Sequence, residues 1–333
     1  MSGLQPTIFN QYPFSLLMES YYLSFLCEKP SIIQGRNTIL SIMKISGFTI
    51  VRNAVLYDYP VVEAIKSILP VVDEMIVLVG NSEDNTDELI RSIHSDKIKI
   101  HHSVWDENLK KGGVVLAIET DKAFQLISPE SDWAFYIQAD EVIHEKYHDT
   151  IRRTCLLYKD DKRVEGLLFN YLHFYGTYDY VADSRKWYHK EVRIIRNDKG
   201  IHAYRDAQGF RRGVKKINVK PVDAMVYHYG WVKNPRKMKE KLKKIQELWI
   251  DTIDDPTNIE RRAGEIFDFN AFDSLKHFDG EHPSVMEKRI EDKNWDIDLD
   301  ISKKKFSIKE KLLYWYEKKT GKRLFDFRNY KII

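Results

Sequence analysis

From Met43 to Glu145, short apolar runs alternate with helical stretches, and this alternation restricts the fold more than any other feature of the chain. Phe48-Thr-Ile-Val reads as a strand. A turn around Asp58-Tyr-Pro60 leads to a helix from Val61 to Leu69, opened by Pro60 near its first turn and closed before Pro70. Glu74 to Gly80 is a second buried strand, Asn81 to Thr86 a polar loop and Asp87 to His94 a helix. Lys97 to His102 alternates as a strand, and Gly112 to Ile127 carries helical spacing. Such alternation predicts an α/β fold: a Rossmann-like, mostly parallel sheet flanked by helices. Right-handed crossovers then set every strand-to-helix loop along one edge.

The next strand carries the chemistry. Trp133-Ala-Phe-Tyr-Ile-Gln-Ala-Asp-Glu141 is an apolar, aromatic run that stops on two adjacent acids. Read as one strand, it presents Asp140 and Glu141 at its C-terminal tip, which faces the ligand crevice in open α/β sheets. Hard oxygen ligands there suit Mg2+ or Mn2+, cations that usually accompany a diphosphate. The bland alternative is a solvated strand-to-loop corner.

Composition narrows the class. The chain has 333 residues, 43% hydrophobic and 31% charged, the balance of a soluble globular protein. A net charge of +3 argues against a nucleic-acid binder. The two cysteines, Cys27 and Cys155, exclude a disulfide framework and a cysteine zinc site, and favour a reduced, cytoplasmic setting. No stretch reaches the roughly 18–20 apolar residues of a membrane span.

Residues 1–42 lack a clean period and are expected to be an N-terminal extension or a docking segment. Residues 43–232 form the expected main domain, with a first half at 43–145 and a second at 146–232. Beyond residue 160, Val164 to Phe174, Glu191 to Ile195 and Val222 to Tyr229 read as strands. Residues 233–333 are expected to be a helical C-terminal extension. Asn234 to Ile250 is a helix with Met238, Leu242, Ile245 and Trp249 on one stripe and Arg236, Lys237, Lys239, Lys241, Lys243 and Lys244 on the other face. This basic face of helix 234–250 would suit an anionic membrane surface or a lipid phosphate. A solvated amphipathic helix is the plainer reading. A last helix opens on a capping box, Ser307-Ile-Lys-Glu310, and closes near Thr320-Gly321.

Three segments together carry a resemblance: Phe48-Thr-Ile-Val-Arg-Asn53, Val77-Leu-Val-Gly-Asn-Ser-Glu-Asp-Asn-Thr86 and Gln138-Ala-Asp-Glu141. In order and spacing, Met43 to Glu145 resembles the nucleotide-binding half of a GT-A-fold glycosyltransferase of the family-two type. The second half resembles it only through Tyr227-His-Tyr-Gly-Trp231. The resemblance implies glycosyl transfer from a nucleotide-sugar donor to an acceptor hydroxyl, inverting and dependent on a divalent cation. It implies Asp140 as metal ligand, with His228 as a second. Arg52, Asn53, Asn81, Asp84, Lys111 and Gln138 would then line the nucleotide. Asn53 also reads as a turn residue, Asp84 as a helix cap, Lys111 as a loop charge and His228 as a half-buried histidine. The acid-base group would be Asp206, with Glu191 as second choice. The sequence departs from the pattern twice, because Gln138 replaces the first Asp of Asp-x-Asp and Gly80-Asn81 stands where an Asp usually reads the base. A sugar nucleotidyltransferase and a non-catalytic nucleotide- or sugar-binding protein of the same fold are the alternatives. The acceptor is an unassigned glycan, lipid-linked or protein group.

Overall fold

The computed structural model describes residues 43–106, 108–109, 112–248, 266–302 and 304–333. The expected extension 1–42, Lys111 and the last two positions of the helix 234–250 lie outside them. Strands β1 (Ile45–Val51), β2 (Glu74–Val79), β3 (Ile98–His102) and β4 (Trp133–Tyr136) form the parallel heart of a sheet in the order β3-β2-β1-β4. Helices α1 (Val61–Ile68), α2 (Thr86–Arg91) and α3 (Val114–Gln125) are the connections between them. β1 and β2 are buried along their whole length, as expected of strands covered on both faces. One face packs β1 and β4 through Ile45, Val51, Trp133 and Phe135 onto α1; the other packs Phe48, Ile50 and Tyr136 against Phe124 of α3.

The strand from Trp133 does not run to the acids. β4 stops at Tyr136, residues 137–140 turn, and Glu141 opens a separate strand, β5 (Glu141–Ile143). The turn is closed from both ends: the Gln138 N–H donates to Glu141 Oε2 at 3.1 Å, and the Glu141 N–H donates to the Gln138 carbonyl at 3.1 Å. Asp140 therefore sits in a turn between two strands rather than on a strand tip.

Helix α4 (His148–Leu157) leads to the second half, with β6 (Gly166–Gly176), β7 (Tyr180–Ala182), β8 (Lys190–Arg196) and β12 (Asn218–Val232). Between the last two, β9 (His202–Tyr204), β10 (Gly209–Arg212) and β11 (Lys215–Lys216) form a small separate sheet. β8 runs antiparallel beside β4 and extends the sheet. β12 pairs with both β5 and β6, so His228 lies opposite Glu141 on one side and His173 on the other.

The C-terminal region is not purely helical. It holds α5 (Pro235–Leu248), α6 (Glu287–Glu291) and α7 (Ile308–Thr320), but also β13 (Leu275–His277) and β14 (Lys331–Ile332), which pair with β7 and β12. α7 has the expected capping box at Ser307 and a left-handed Gly321 at its end. Among the described residues no helix is long and apolar enough to cross a membrane.

Candidate active site

A cavity opens at the C-terminal ends of β1 and β4, where a doubly wound sheet holds its ligands. Ile50, Trp105, Leu116 and Tyr136 make its apolar part, and Tyr57, Tyr59, Asp140 and Lys241 its polar part. Arg52, Asn53, Gln138 and Asp206 also line it.

A buried ion pair underlies the polar part. Glu141 and Arg193 are both 0% exposed. Arg193 Nε and Nη2 donate to the two carboxylate oxygens of Glu141, each at 2.8 Å, and the Tyr171 hydroxyl donates to Oε1 at 2.7 Å. Arg193 Nη1 also donates to the Gln208 carbonyl at 2.9 Å. One pair thus fixes two loops: the turn that carries Asp140 and the segment that carries Asp206. Nothing singled out Arg193 in the sequence. A charge at an interior position of the apolar strand Glu191-Val-Arg-Ile-Ile is the signal, since a charge there needs a partner.

Asp140 is half-enclosed. Lys241 Nζ, which also donates to the Gly230 carbonyl at 2.9 Å, lies 3.4 Å from Oδ2. His228 Nε2 stands 3.7 Å from Oδ1. Burial opposes ionisation of this carboxyl, but Lys241, followed by His228 in its protonated form and Lys233, outweighs it and holds Asp140 at about 2. Gly230, at an irregularity of β12, makes the approach possible: a Cβ there would lie 2.6 Å from Asp140 Oδ2 and 2.7 Å from the His228 ring.

The two histidines form a relay whose proton positions follow from its ends. His173 Nε2 lies 2.7 Å from the Tyr188 carbonyl, which can only accept, so this nitrogen carries the proton. Burial lowers His173 well below its usual range, so the ring is neutral and its Nδ1 accepts. His228 Nδ1, 3.2 Å away, must then donate. Burial lowers His228 as well, and in the neutral ring its Nε2 faces Asp140 as an acceptor. In that form Nε2 and Asp140 Oδ1, 3.7 Å apart, are two electron-pair donors with room for a cation between them.

That donor set fits a divalent cation held by two protein ligands, one oxygen and one imidazole nitrogen, with His173 setting the tautomer. Among the described residues no group of three His, Cys, Asp or Glu side chains converges, so phosphate oxygens and water would complete the shell. Gln138 does not join Asp140; its amide donates to the Ala207 carbonyl at 3.4 Å. His228 lies within β12 rather than at a strand end.

Asp206 is held between two residues in left-handed backbone, Arg205 at φ 56° and Ala207 at φ 60°. Such strain persists only where the surroundings enforce it. Burial raises the Asp206 carboxyl. Glu191 does not line the cavity; burial raises it to about 8, and its Oε2 has no partner among the described residues.

Asn53, also left-handed at φ 55°, accepts from the Glu83 N–H at 2.8 Å, which ties the ends of β1 and β2 together. Asn81 and Asp84 do not line the cavity. Asn81 accepts from the Trp105 N–H at 3.1 Å, and Asp84 accepts from the Leu56 N–H at 2.7 Å and the Thr86 N–H at 3.1 Å. Their side chains shape the loops behind the cavity. Lys241 is buried and points inward, which corrects its placement on a solvated basic face. Its neighbour Lys233 is fully buried, donates to the Asp58 carbonyl at 2.6 Å and is lowered to about 7 by burial, with Lys241 adding to the effect. The two ammonium groups flank the Tyr59 ring at 4.9 and 4.8 Å.

No protein-family profile and no curated protein sequence matches the chain. Solved structures do, at low identity. The chain is similar to S. aureus TarS 1-349 in complex with UDP-GlcNAc, with 14% identity, a TM-score of 0.36, and coverage of 67% of this chain and 71% of that one. Glucosyl-3-phosphoglycerate synthase from Mycobacterium tuberculosis, in complex with Mn2+, UDP and phosphoglyceric acid, has 15% identity, a TM-score of 0.28, and coverage of 39% and 43%. 4-diphosphocytidyl-2C-methyl-D-erythritolsynthase from Anaerococcus prevotii has 11% identity, a TM-score of 0.29, and coverage of 46% and 70%. Likeness at this level carries no inference about activity. The architecture on its own topology is a mixed sheet, parallel through β3-β2-β1-β4 and flanked by helices.

Proposed function

We propose that this chain is a glycosyltransferase that moves a sugar from a nucleotide-sugar donor to an acceptor hydroxyl. The observation that carries the reading is His228 Nε2 at 3.7 Å from one oxygen of the Asp140 carboxylate, with the Lys241 ammonium 3.4 Å from the other. Asp140 and Lys241 line a cavity that also has apolar and aromatic walls, and His228 stands behind Asp140 without lining it. A donor diphosphate matches the polar part and a nucleoside the apolar part. Asp140 and His228 would hold a divalent cation, whose chemistry is Lewis-acid neutralisation of the leaving diphosphate. Lys241 adds a fixed positive charge beside the same phosphates. Trp105 and Tyr136 offer ring faces to the nucleoside, and Arg52 and Asn53 its polar edge. Asp206, raised by burial and held by strained backbone, is the group suited to take the proton from the acceptor hydroxyl. Direct attack with that single base gives inversion at the anomeric carbon.

Titration calorimetry with UDP, CDP, GDP and ADP, each with and without Mn2+, tests the reading. One diphosphate is expected to bind at least tenfold more tightly with Mn2+, and Asp140→Ala is expected to abolish that difference while the protein stays folded. Absence of binding by all four, or binding that Asp140→Ala leaves intact, would sink the proposal.

A further inference from the structure

Helix α7 is built inside out. Its side toward the protein is polar: the Tyr314 hydroxyl and Lys318 Nζ donate to the two carboxylate oxygens of Asp183, the latter at 2.8 Å, and Glu317 pairs with Arg185. Its opposite side is apolar. Ile308, Leu312 and Trp315 recur at the spacing of one helical stripe and are 89%, 65% and 56% exposed. Beyond the helix, Phe325 and Phe327 are 89% and 63% exposed. Phe325 adopts φ 56°, a conformation unusual for a bulky side chain, and so holds an aromatic ring out in water against local preference. A helix that merely caps a domain has the reverse arrangement.

Basic residues rim this apolar surface. Residues 303–333 contain eleven Lys and Arg against three Asp and Glu, within a chain whose total is only +3. Lys319 Nζ lies 5.1 Å from the Trp315 ring, and Arg205 and Lys216 approach the Phe327 ring at 5.8 and 5.9 Å. An apolar stripe with Trp and Phe, edged by cations, matches the boundary of an anionic bilayer, where rings enter the headgroup layer and lysines meet lipid phosphates. A polyanion such as RNA would satisfy the cations but leave Ile308 and Leu312 in water, and a second copy of the chain would bring two basic rims together.

We propose that α7 and the Phe325–Phe327 segment form a docking surface for anionic membranes. This surface differs from the basic face of α5, part of which Lys241 commits to the cavity. The proposal is independent of the catalytic reading.

Co-sedimentation of the full chain with neutral phosphatidylcholine vesicles, and with vesicles containing 30 mol% phosphatidylglycerol, tests it. Binding is expected on the anionic vesicles and is expected to weaken with salt. Lys311→Gln, Lys319→Gln and Lys322→Gln together should lower the partition coefficient about a hundredfold. Leu312→Glu with Trp315→Glu should abolish binding without lowering Tm, because both side chains are already exposed. No vesicle binding, equal binding to neutral vesicles, tighter binding to RNA than to vesicles, or a dimer that Leu312→Glu with Trp315→Glu dissociates would each overturn the proposal.

Discussion

Replacing Arg193 with Met leaves Glu141 as a buried carboxylate whose remaining partners are the Tyr171 hydroxyl and the Gln138 N–H. Four hydrogen bonds disappear: two to Glu141, one to the Val192 carbonyl and one to the Gln208 carbonyl. Breaking a fully buried pair by removing one partner costs about 3–5 kcal/mol, because the other charge stays behind without compensation. For a unit of this size each kcal/mol moves Tm by roughly 2–4 °C, so a fall of roughly 6–20 °C is expected. Glu141→Gln combined with Arg193→Met removes both charges, and most of that loss should return. The loss of the Gln208 tether should also loosen the Asp206 segment, which hydrogen exchange at residues 205–208 would detect. Thermal melts of the wild type, both single variants and the double variant form a closed cycle. An Arg193→Met variant within 2 °C of wild type, or a double variant no more stable than that single one, would refute the account of Glu141–Arg193 as the clamp of the site.

Lys241→Met should weaken binding of the preferred nucleoside diphosphate roughly 10- to 100-fold, the loss expected for a charge-assisted bond, while the nucleoside alone binds unchanged. Equal weakening of nucleoside and diphosphate would show that Lys241 holds the cavity's shape rather than the phosphates. Glu191 titrates near 4.5 when unfolded and at about 8 in the fold, so the folded state carries the extra proton between those values. Stability from this group is therefore complete below about pH 4.5 and is lost as pH rises through about 8. Glu191→Gln should remove that slope and be the more stable protein at pH 8, by on the order of a few kcal/mol; parallel Tm–pH curves for the two proteins would contradict it.

Much of the first half was legible because β1 and β2 are buried on both faces and read as unbroken apolar runs, while Pro60 and Pro70 bracket the first helix. The break after Tyr136 was not, because Ile137 and Ala139 continue the apolar pattern and the turn is made by a bond from the Glu141 side chain to the backbone. Asp140 and His228 were singled out through a motif and an exposed-looking histidine, and the fold brings them within 3.7 Å of each other. His173, Lys233 and Lys241 were missed, since their roles arise from strands and helices that meet only in the fold. Asn81 and Asp84 were placed at the nucleotide by position alone, whereas their short polar side chains are spent on neighbouring N–H groups, as such residues do in loops.

Gly230 gives the experimentalist a handle that the charged residues do not. The atoms a side chain there would strike are the far ends of Asp140 and His228, not backbone, so a single added methyl group parts the two while the strands around them stay in place. Under the proposed function, a Gly230→Ala allele is expected to lower transfer by a change of one carbon atom, which an activity assay beside an unchanged Tm would check. It alters neither the charge nor the hydrogen-bonding inventory of the chain, and so separates the effect of parting Asp140 from His228 from the effect of removing either.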